Sequence, residues 1–591
     1  MRQRDSRAQV LIFVILSLIA IGPAWADDDR DKGRPTNKGV DLRSHGRELA
    51  DRVREKGLKV ERAPERHESR GHESRERDKE LEEEGLSVQI NDPALDHIQT
   101  LAGTRPFEYS IQSETSIVAF GDDIVVGYNS SADTLVVQGP EGLAFDHKHA
   151  SAFSVSHDGG RTWTSGFVPP VPGSVFTFGD PSLAVDRRGN FFYASLGTDA
   201  NGINAIIVNK STDRGRTFAP AVIAAVDDGA DKPWLAVGRD PFDRRRDNLY
   251  IAWRSFQSNN TRSVLQFVRS TDGGQNWSPQ TVFAPTDTGI LSAFVQFSNP
   301  VVDASSGRLY IPFLHLSNID ADFIRVLVSD DGGQTFDFLR FNVAGAPDPF
   351  AFPNVTPGER TDCGAGRDGG VRLVIHQGAN LGGGRAGFTR FRQATRLFTQ
   401  PSAAAESGKI FIALNSSTSP TFDDPNANSE IRLLFSLNGG VSWQAVTVVP
   451  AIFDRHHVLP SIAANKGGER LHIAYYVQQA DERVRVDLLR AKVEDGRVEV
   501  EHVRTLSSAA FDLTPSNNPV EFSPTDPVLT ANYDRIFSAC YDVGEYLSVF
   551  AKGSEVLAAW GENRNRWTSP AGSPAAGTHA QPDVFFQRLE D

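Results

Sequence analysis

The eight residues Ser156-His157-Asp158-Gly159-Gly160-Arg161-Thr162-Trp163 form a pattern, S-x-D-x-G-x-T-[WF], that recurs along the chain. Four further copies occupy residues 211–218, 270–277, 329–336 and 436–443. The acidic position is held in turn by Asp158, Asp213, Asp272, Asp331 and, in the fifth copy, Asn438. A pattern repeated at this frequency predicts an array of similar structural units instead of several unrelated domains.

The residue types of this pattern, the repeat turn, are those that a tight turn requires. The Asp or Asn side chain accepts hydrogen bonds from backbone N–H groups of its own turn. The Gly two residues later permits a positive φ, and the aromatic residue is expected to pack on a sheet. Because the turn uses the acceptors of the aspartates, these residues are predicted to be structural and not catalytic.

A second repeat precedes the turns and consists of two apolar strands joined by a polar or Gly-containing turn. One copy is Pro233-Trp234-Leu235-Ala236-Val237 followed by Tyr250-Ile251-Ala252-Trp253, and seven copies occur in all. A third strand leads to each turn position and a fourth follows it in the first six units. The sequence therefore predicts an all-β, seven-bladed β-propeller. Residues 86–90 alternate apolar and polar, and we expect them to supply the last blade's missing strand and to close the ring.

The five turns resemble the Asp-box, or BNR repeat, of the sialidase superfamily, and the strand repeat extends the resemblance over residues 86–591. It implies a propeller, with the six-bladed sialidase form as the alternative to seven blades. Catalytic sialidases hold the substrate carboxylate with three arginines, the first in an R-I-P motif before the first inner strand. Ile111-Gln112-Ser113-Glu114-Thr115 stands there in this chain and contains no arginine.

The N-terminal region differs in composition from the remainder. Basic Arg2 and Arg4, an apolar stretch and Ala24-Trp25-Ala26 predict a signal peptide over residues 1–26, and hence a secreted or periplasmic protein with no membrane span after cleavage. Residues 27–85 are rich in charge and are predicted to be a disordered spacer. The net charge of −14 disfavours a nucleic-acid partner.

Candidate site residues follow from blade geometry, because the start of strand one and the end of strand two lie on one face, the central mouth. Polar residues at these positions form the candidate ligand site. The carboxylates considered first for catalysis are Asp180, Asp231 and Glu545. The ligand-binding candidates are Lys232, Arg254, His315, Arg455, His456, His457, Glu562 and Arg564. The remaining polar residues of the mouth are Glu114, Asn129, Asn299, Gln400 and Asn415.

The sequence gives few indications of a disulfide bond, a metal ion or a cofactor. Cys363 and Cys540 are either one disulfide or two unpaired thiols. Residues 424–430 space oxygen donors as calcium loops do but lack the sixth-position Gly and the distant bidentate Glu, so a polar loop is expected and calcium is the alternative. No His or Cys partner stands at metal-ligand spacing from His456-His457, so no metal site and no cofactor are predicted.

These observations favour an exported propeller that binds a glycan or protein ligand at its mouth, with no assured catalysis. The alternative is a sialidase-like glycoside hydrolase, which would need an acid and a nucleophile across the mouth. The missing R-I-P arginine favours the binding protein.

Overall fold

The structure, a computed structural model, describes most of the region predicted to be the propeller. The described residues are 87–95, 98–100, 112–139, 142–257, 262–285, 294–316, 323–339, 350–351, 354–357, 371–374, 400–417, 428–452, 455–481, 483–512, 544, 546–568 and 578–591. The predicted signal peptide and charged spacer lie outside these ranges. Within them, no helix is long and apolar enough to cross a membrane.

The described residues are all-β, as predicted, apart from one short 3-10 turn at Pro93–Leu95. After β1 (Val88–Gln89), nine strands form one continuous sheet, which we name the double sheet. Its strands are β2 (Ile98–Thr100), β3 (Gln112–Phe120), β4 (Asp123–Gly139), β5 (Gly142–Ser156), β6 (Thr164–Phe167), β7 (Phe176–Val185), β8 (Phe191–Thr198), β9 (Asn204–Ser211) and β10 (Val222–Val226).

Four further sheets follow in chain order, together with a separate hairpin. The first contains β11 (Ala230–Arg239), β12 (Asp247–Gln257), β13 (Arg262–Ser270) and β14 (Ser278–Phe283). The second contains β15 (Phe294–Gln296), β16 (Val301–Val302), β17 (Leu309–Leu316), β18 (Phe323–Ser329), β19 (Asp337–Phe338) and β20 (Phe350–Ala351), and β21 (Asn354–Pro357) pairs with β22 (Val371–Val374). The third and fourth contain β23 (Ser402–Glu406), β24 (Lys409–Ser417), β25 (Ser429–Ser436) and β26 (Gln444–Val449), then β27 (His456–Asn465), β28 (Arg470–Gln478), β29 (Val484–Glu494) and β30 (Arg497–Thr505).

The last sheet, the closing sheet, joins the two ends of the described region. It consists of β31 (Ser548–Lys552), β32 (Glu555–Thr568), β33 (Thr578–Glu590) and, at its outer edge, β1. Val88 pairs with Phe586 and Gln89 with Phe585 in antiparallel register. The N-terminal strand therefore completes the last sheet, as the sequence predicts, and covers an edge that would otherwise expose unpaired backbone groups.

The prediction of seven separate four-stranded blades is wrong. Within the described residues, five sheets of four to six strands have the form of blades: those starting at β11, β15, β23 and β27, and the closing sheet. The strands predicted to form the first two blades instead share the double sheet. The reason is that β5, which is long, also pairs in parallel with β7. Lys148 lies opposite Phe176 in this pairing, and His149 lies opposite Thr177. The six-bladed alternative is not matched either.

Buried apolar clusters fill the space between successive sheets. Phe192 and Ile206 of the double sheet pack with Ile251 and Trp253 of the next sheet. The closing sheet packs back on the double sheet through Phe586 and neighbouring residues, which join Ile124 and Val126 in one cluster. A propeller of this kind keeps its core between the sheets because each sheet is apolar on both faces.

Inner-strand serines add hydrogen bonds between successive inner strands. In four inner strands, the Ser hydroxyl oxygen accepts a backbone N–H of the following inner strand at 2.8–3.2 Å, once within the double sheet and three times between sheets. The donor and acceptor pairs are Leu183 to Ser116, Leu235 to Ser182, Ile462 to Ser402 and Val549 to Ser461. The amide oxygens of Asn129, Asn299 and Asn415 accept further backbone N–H groups, from Asp180 within the double sheet and from Ala403 and Leu459 of the next sheet. These three asparagines, placed among the mouth residues by the sequence, thus link successive inner strands.

The repeat turns have one hydrogen-bond scheme. In the fourth copy, Oδ1 of Asp331 accepts the backbone N–H groups of Gln334 and Thr335 at 2.9 Å, and its Oδ2 accepts the hydroxyl of Thr335 at 2.6 Å. The first residue, Ser329, accepts the N–H of Gly333 at 2.8 Å. A Cβ at Gly333 would come within 2.7 Å of the Phe267 ring of the preceding sheet, so this Gly permits close approach as well as its φ of 80°.

Candidate functional site

Inner strands of the propeller carry β-bulges at the mouth. The ladder between β3 and β4 shifts register between Ser113 and Ser116, and those of β7 and β11 shift at the corresponding places. Glu114, Asp180 and Lys232 occupy these bulges with φ values of 54°, 55° and 53°. Non-Gly residues rarely adopt this left-handed conformation, and it costs on the order of 1–3 kcal/mol each. The strain is offset by the contacts that the three side chains make.

These three residues form an ionic group, which we name the mouth cluster together with Asn129 and Tyr546. Lys232 Nζ lies 2.8 Å from Glu114 Oε1 and 3.5 Å from Asp180 Oδ1, and all three residues are less than 10% exposed. Asn129 donates to Glu114 Oε2 at 2.8 Å and accepts the Asp180 N–H at 2.7 Å. Buried charges require such pairing, because leaving one unpartnered costs several kcal/mol.

Aromatic side chains border the mouth cluster. Lys232 Nζ lies 4.9 Å from the centre of the Tyr546 ring, in a cation–π contact. The Trp234 ring packs edge-on against Tyr546 at 5.2 Å and is half-buried. A Cβ at Gly544 would clash with the Glu114 side chain, so the chain entering the closing sheet approaches the cluster closely. Strands of the double sheet and the β11 sheet therefore meet here with the segment that precedes β31.

Two equivalent bulge positions in other sheets are apolar. Phe297 and Leu459 have φ values of 52° and are buried. The bulge position is therefore charged in the double sheet and the β11 sheet, and apolar in the β15 and β27 sheets. The sequence pattern did not reveal this asymmetry, because a bulge changes which residue points to the axis.

Asp231 and Arg254 pair with each other at the rim of the mouth. Arg254 donates to Asp231 at 2.5 Å, and its guanidinium stacks 3.6 Å from the Phe256 ring centre. The side chains of Arg254 and Asp231 are 10% and 18% exposed. The Arg254 guanidinium is thus already paired with the Asp231 carboxylate and is not positioned to bind the carboxylate of a substrate.

Glu562 and Arg564 belong to the closing sheet's interior and not to an open site. Arg564 Nε lies 2.8 Å from Glu562 Oε1, and Arg564 also donates to the backbone oxygen and hydroxyl of Ser87, just before β1. Burial raises the pKa of Glu562 to about 7, although the charge of Arg564 and the indole N–H of Trp560 act in the opposite direction. With no exposed surface, Glu562 cannot act as an acid on a substrate.

The histidine candidates lie on two strands, His315 on β17 and the adjacent His456 and His457 on β27. His456 and His457 are buried at the start of β27. The Ser429 hydroxyl lies 3.4 Å from His456 Nδ1 and accepts the backbone N–H of His457 at 2.9 Å, and the Ser429 carbonyl oxygen lies 3.3 Å from His457 Nδ1. Burial lowers the pKa of His457. His315, near the end of β17, packs edge-on against the Phe283 ring at 5.3 Å. Arg455 is half-buried immediately before β27.

Several predictions fall outside the described residues. These are Glu545, both cysteines Cys363 and Cys540, and residues 424–427 of the polar loop. Glu545 lies between Gly544 and Tyr546, which are described.

The structure also assembles a cluster that the sequence reasoning missed. Asp133 on β4 and His147 and His149 on β5 offer ligand atoms within 4.8 Å of one another. Burial opposes ionisation of Asp133, but hydrogen bonds and charge from His149 and His147 lower its pKa. The sequence signal was His147-Lys148-His149, since alternate residues of a strand share one face, but the acidic partner depends on the β4–β5 register.

The predicted mouth residues thus divide into a buried ionic cluster, a rim ion pair and structural contacts. Among these residues and their neighbours that the structure describes, Asp231, Arg254, Arg455 and Trp234 are half-buried and partly reached by solvent. This arrangement offers hydrogen-bond acceptors beside an aromatic face. Among the described candidates, it holds no acid and nucleophile pair in contact with a common space.

No family model and no curated protein match the chain. Among solved structures, Hadza microbial sialidase Hz136 aligns with 12% identity over 76% of this chain and 75% of its own, with a TM-score of 0.36. Phage phi92 endosialidase aligns with 10% identity over 86% and 69%, with a TM-score of 0.39. A PL25 polysaccharide lyase, an ulvan lyase, aligns with 11% identity over 67% and 79%, with a TM-score of 0.35. At these identities and TM-scores, the likenesses carry no argument about activity.

Proposed function

We propose that this chain is an exported Asp-box propeller that binds a glycan at its mouth without hydrolysing it. The observation that carries the proposal is the pairing of the described charged residues Glu114, Asp180 and Lys232 with one another, and of Asp231 with Arg254. Half-buried Trp234 and Asp231 lie beside them. Small-molecule sites commonly combine a few fixed polar groups with aromatic walls in this way.

Two of the three arginine candidates, Arg254 and Arg564, argue against a sialidase. A carboxylate substrate needs guanidinium forks that are free to bind it. Arg254 forms an ion pair with Asp231. Arg564 forms an ion pair with Glu562 and donates a hydrogen bond to Ser87 inside the closing sheet. The position of the R-I-P arginine is occupied by the Gln112 to Thr115 segment of β3.

The charge of the mouth indicates the class of glycan. By formal charge, Glu114, Asp180 and Lys232 together carry a net −1, and the Asp231–Arg254 pair is neutral; these five are described residues. This favours a neutral or cationic sugar over a sialoside. Trp234 supplies the aromatic face on which the apolar side of a sugar ring would stack.

The proposal is tested by screening the mature protein on a glycan array and titrating the strongest neutral or amino-sugar hit by calorimetry. We expect Trp234→Ala and Asp231→Asn each to weaken binding about tenfold or more, which corresponds to ~1.4 kcal/mol. Asp243→Asn is the matched control, because Asp243 is exposed in the turn at the other end of β11.

The accompanying assay offers an aryl sialoside to the same protein. We expect no turnover above that of a boiled sample. Turnover that is lost on changing Arg254 would overturn the proposal and favour a sialidase-like hydrolase. If the protein bound only a protein partner and no glycan of the array, the proposal that its ligand is a glycan would be contradicted.

A further inference from the structure

A second polar group lies on the extended part of the β4–β5 hairpin. β4 continues to Gly139 and β5 begins at Gly142, so the hairpin is longer than the neighbouring β8–β9 pair. The ladder shifts register between Asn129, which pairs with Ser151, and Asp133, which pairs with His149. The extra β4 residues form a bulge that separates Asn129 of the mouth cluster from Asp133.

This register places three ligand-type side chains on one face. His147 and His149 are two apart on β5, and Asp133 lies directly opposite His149. His149 Nδ1 lies 2.7 Å from Asp133 Oδ2, and His147 Nε2 lies 3.1 Å from Asp133 Oδ1. The imidazole rings stack at 4.9 Å with an angle of 22° between their planes.

These distances suit a shared metal ion. In a tetrahedral site with metal–ligand bonds of 2.0–2.1 Å, neighbouring ligand atoms are about 3.3 Å apart. The Asp133 oxygens and the histidine nitrogens are already near this spacing, and their side chains are 23–35% exposed, so small rotations would admit an ion.

A second carboxylate supports one of the ligands from outside. Asp146 Oδ2 lies 3.1 Å from His147 Nδ1, the nitrogen on the side away from Asp133. Metal-binding histidines usually donate their other ring N–H to a carboxylate, which fixes the tautomer and the ring orientation. Asp146 is placed to do this while His147 Nε2 binds the ion.

We propose that Asp133, His147 and His149 bind a divalent first-row transition-metal ion, for which Zn²⁺ is the natural test. Two imidazoles and one carboxylate are a ligand set that such ions prefer, and Ca²⁺ and Mg²⁺ prefer oxygen alone. Three protein ligands leave a fourth position for water or for an oxygen of a bound molecule. The site stands independently of the glycan proposal.

The test is calorimetric titration of Zn²⁺ into the full mature chain, made without a polyhistidine tag and first treated with chelator. Because other histidines occur in the charged region, the measured quantity is the difference between variants. We expect His147→Gln and His149→Gln each to remove one equivalent of bound Zn²⁺, and Asp146→Asn to weaken that equivalent about tenfold.

His157→Gln is the matched control. His157 pairs with Asp123 at 2.7 Å with similar exposure, and among the described residues it belongs to no group of three metal-ligand side chains. We expect this variant to bind Zn²⁺ as the wild type does. Circular dichroism and the thermal midpoint without metal establish that each variant is folded.

Replacing Zn²⁺ by Co²⁺ gives a second readout. The visible absorption of bound Co²⁺ should report mixed nitrogen and oxygen ligands and should lose intensity in His149→Gln. Equal Zn²⁺ stoichiometry in the wild type and in both folded histidine variants would overturn the proposal, as would an equal loss in His157→Gln.

Discussion

At the scale of single residues, the fifth repeat turn shows how much of the turn depends on charge. Asn438 replaces the aspartate, and its Oδ1 still accepts the N–H of Ser442 at 2.9 Å. Its amide nitrogen donates to the Ser442 hydroxyl at 2.8 Å, where Asp331 accepts from Thr335. The hydroxyl reverses its role, so the turn needs an acceptor at Oδ1 more than it needs a negative charge.

We therefore expect Asp331→Asn to be nearly neutral at pH 7 and Asp331→Ala to lower the free energy of unfolding by about 1–3 kcal/mol, the net contribution of the hydrogen bonds that the Asp331 carboxylate accepts. Burial opposes ionisation of Asp331, but hydrogen bonds from Thr335, Ser329 and Gln334 hold its pKa at about 2, below the unfolded value of 3.8.

This depressed pKa contributes stability above about pH 4 that is lost as the pH falls towards 2. The Asn variant should lose less stability in that window. Urea denaturation at pH 7, 4 and 2.5 measures both effects. Equal stability of the Ala and Asn variants at pH 7 would show that the acceptor is unimportant.

At the scale of elements, the closing sheet combines a borrowed strand with buried acids. Asp583 on β33 accepts the amide groups of Asn91 and Asn565, both at 2.8 Å. Burial raises its pKa to about 6, although these hydrogen bonds and Arg564 act in the opposite direction. The adjacent Glu562 is raised to about 7 by burial. The sheet thus favours protonated acids at its centre.

Because the folded pKa of Asp583 lies above the unfolded value of 3.8, its stabilising contribution is fully present below about pH 4 and is lost as the pH rises through 6. Glu562 acts in the same sense between 4.5 and 7. We expect the free energy of unfolding to fall between pH 5 and 8 by on the order of 1–3 kcal/mol.

Asp583→Asn should flatten this dependence, since it cannot ionise. Asp243→Asn, an exposed carboxylate change, serves as the control and should leave the dependence unaltered. A wild-type stability that rises from pH 5 to 8 would contradict the assignment.

At the scale of the whole molecule, contacts distant in sequence close the structure. β1 pairs with β33, and Arg564 donates to Ser87. The double sheet and the closing sheet share one buried cluster that includes Ile90 and Phe586. Long-range closure of this kind makes the first strand necessary to the last sheet.

Removing residues 1–90 should therefore lower the thermal midpoint by several degrees and promote association through the exposed β33 edge, whereas removing residues 1–85 should not. Differential scanning calorimetry and size-exclusion chromatography compare the two truncations. Equal midpoints would show that β1 contributes nothing to stability.

The sequence by itself determined the all-β class, the chemistry of the repeat turns and the strand that closes the last sheet. Each of these depends on local rules: alternation of apolar residues, turn residues at fixed spacing, and an unpaired edge that needs a partner. Strand direction in a meander led to the expectation that polar residues at these strand ends share one face. The structure brings Glu114, Asp180 and Lys232 together, but it places Glu562 and Arg564 inside the closing sheet.

Only the tertiary structure decided the sheet count and the state of the site. The parallel pairing of β5 with β7 joins two expected blades into one sheet. Such a pairing cannot be predicted from the sequence, because it changes the apolar and polar alternation of neither strand. Bulges placed Glu114, Asp180 and Lys232 together, and the β4–β5 register brought Asp133 to His147 and His149. A one-residue change of register reverses the face of a side chain, so which charges meet is settled only when the strands have paired.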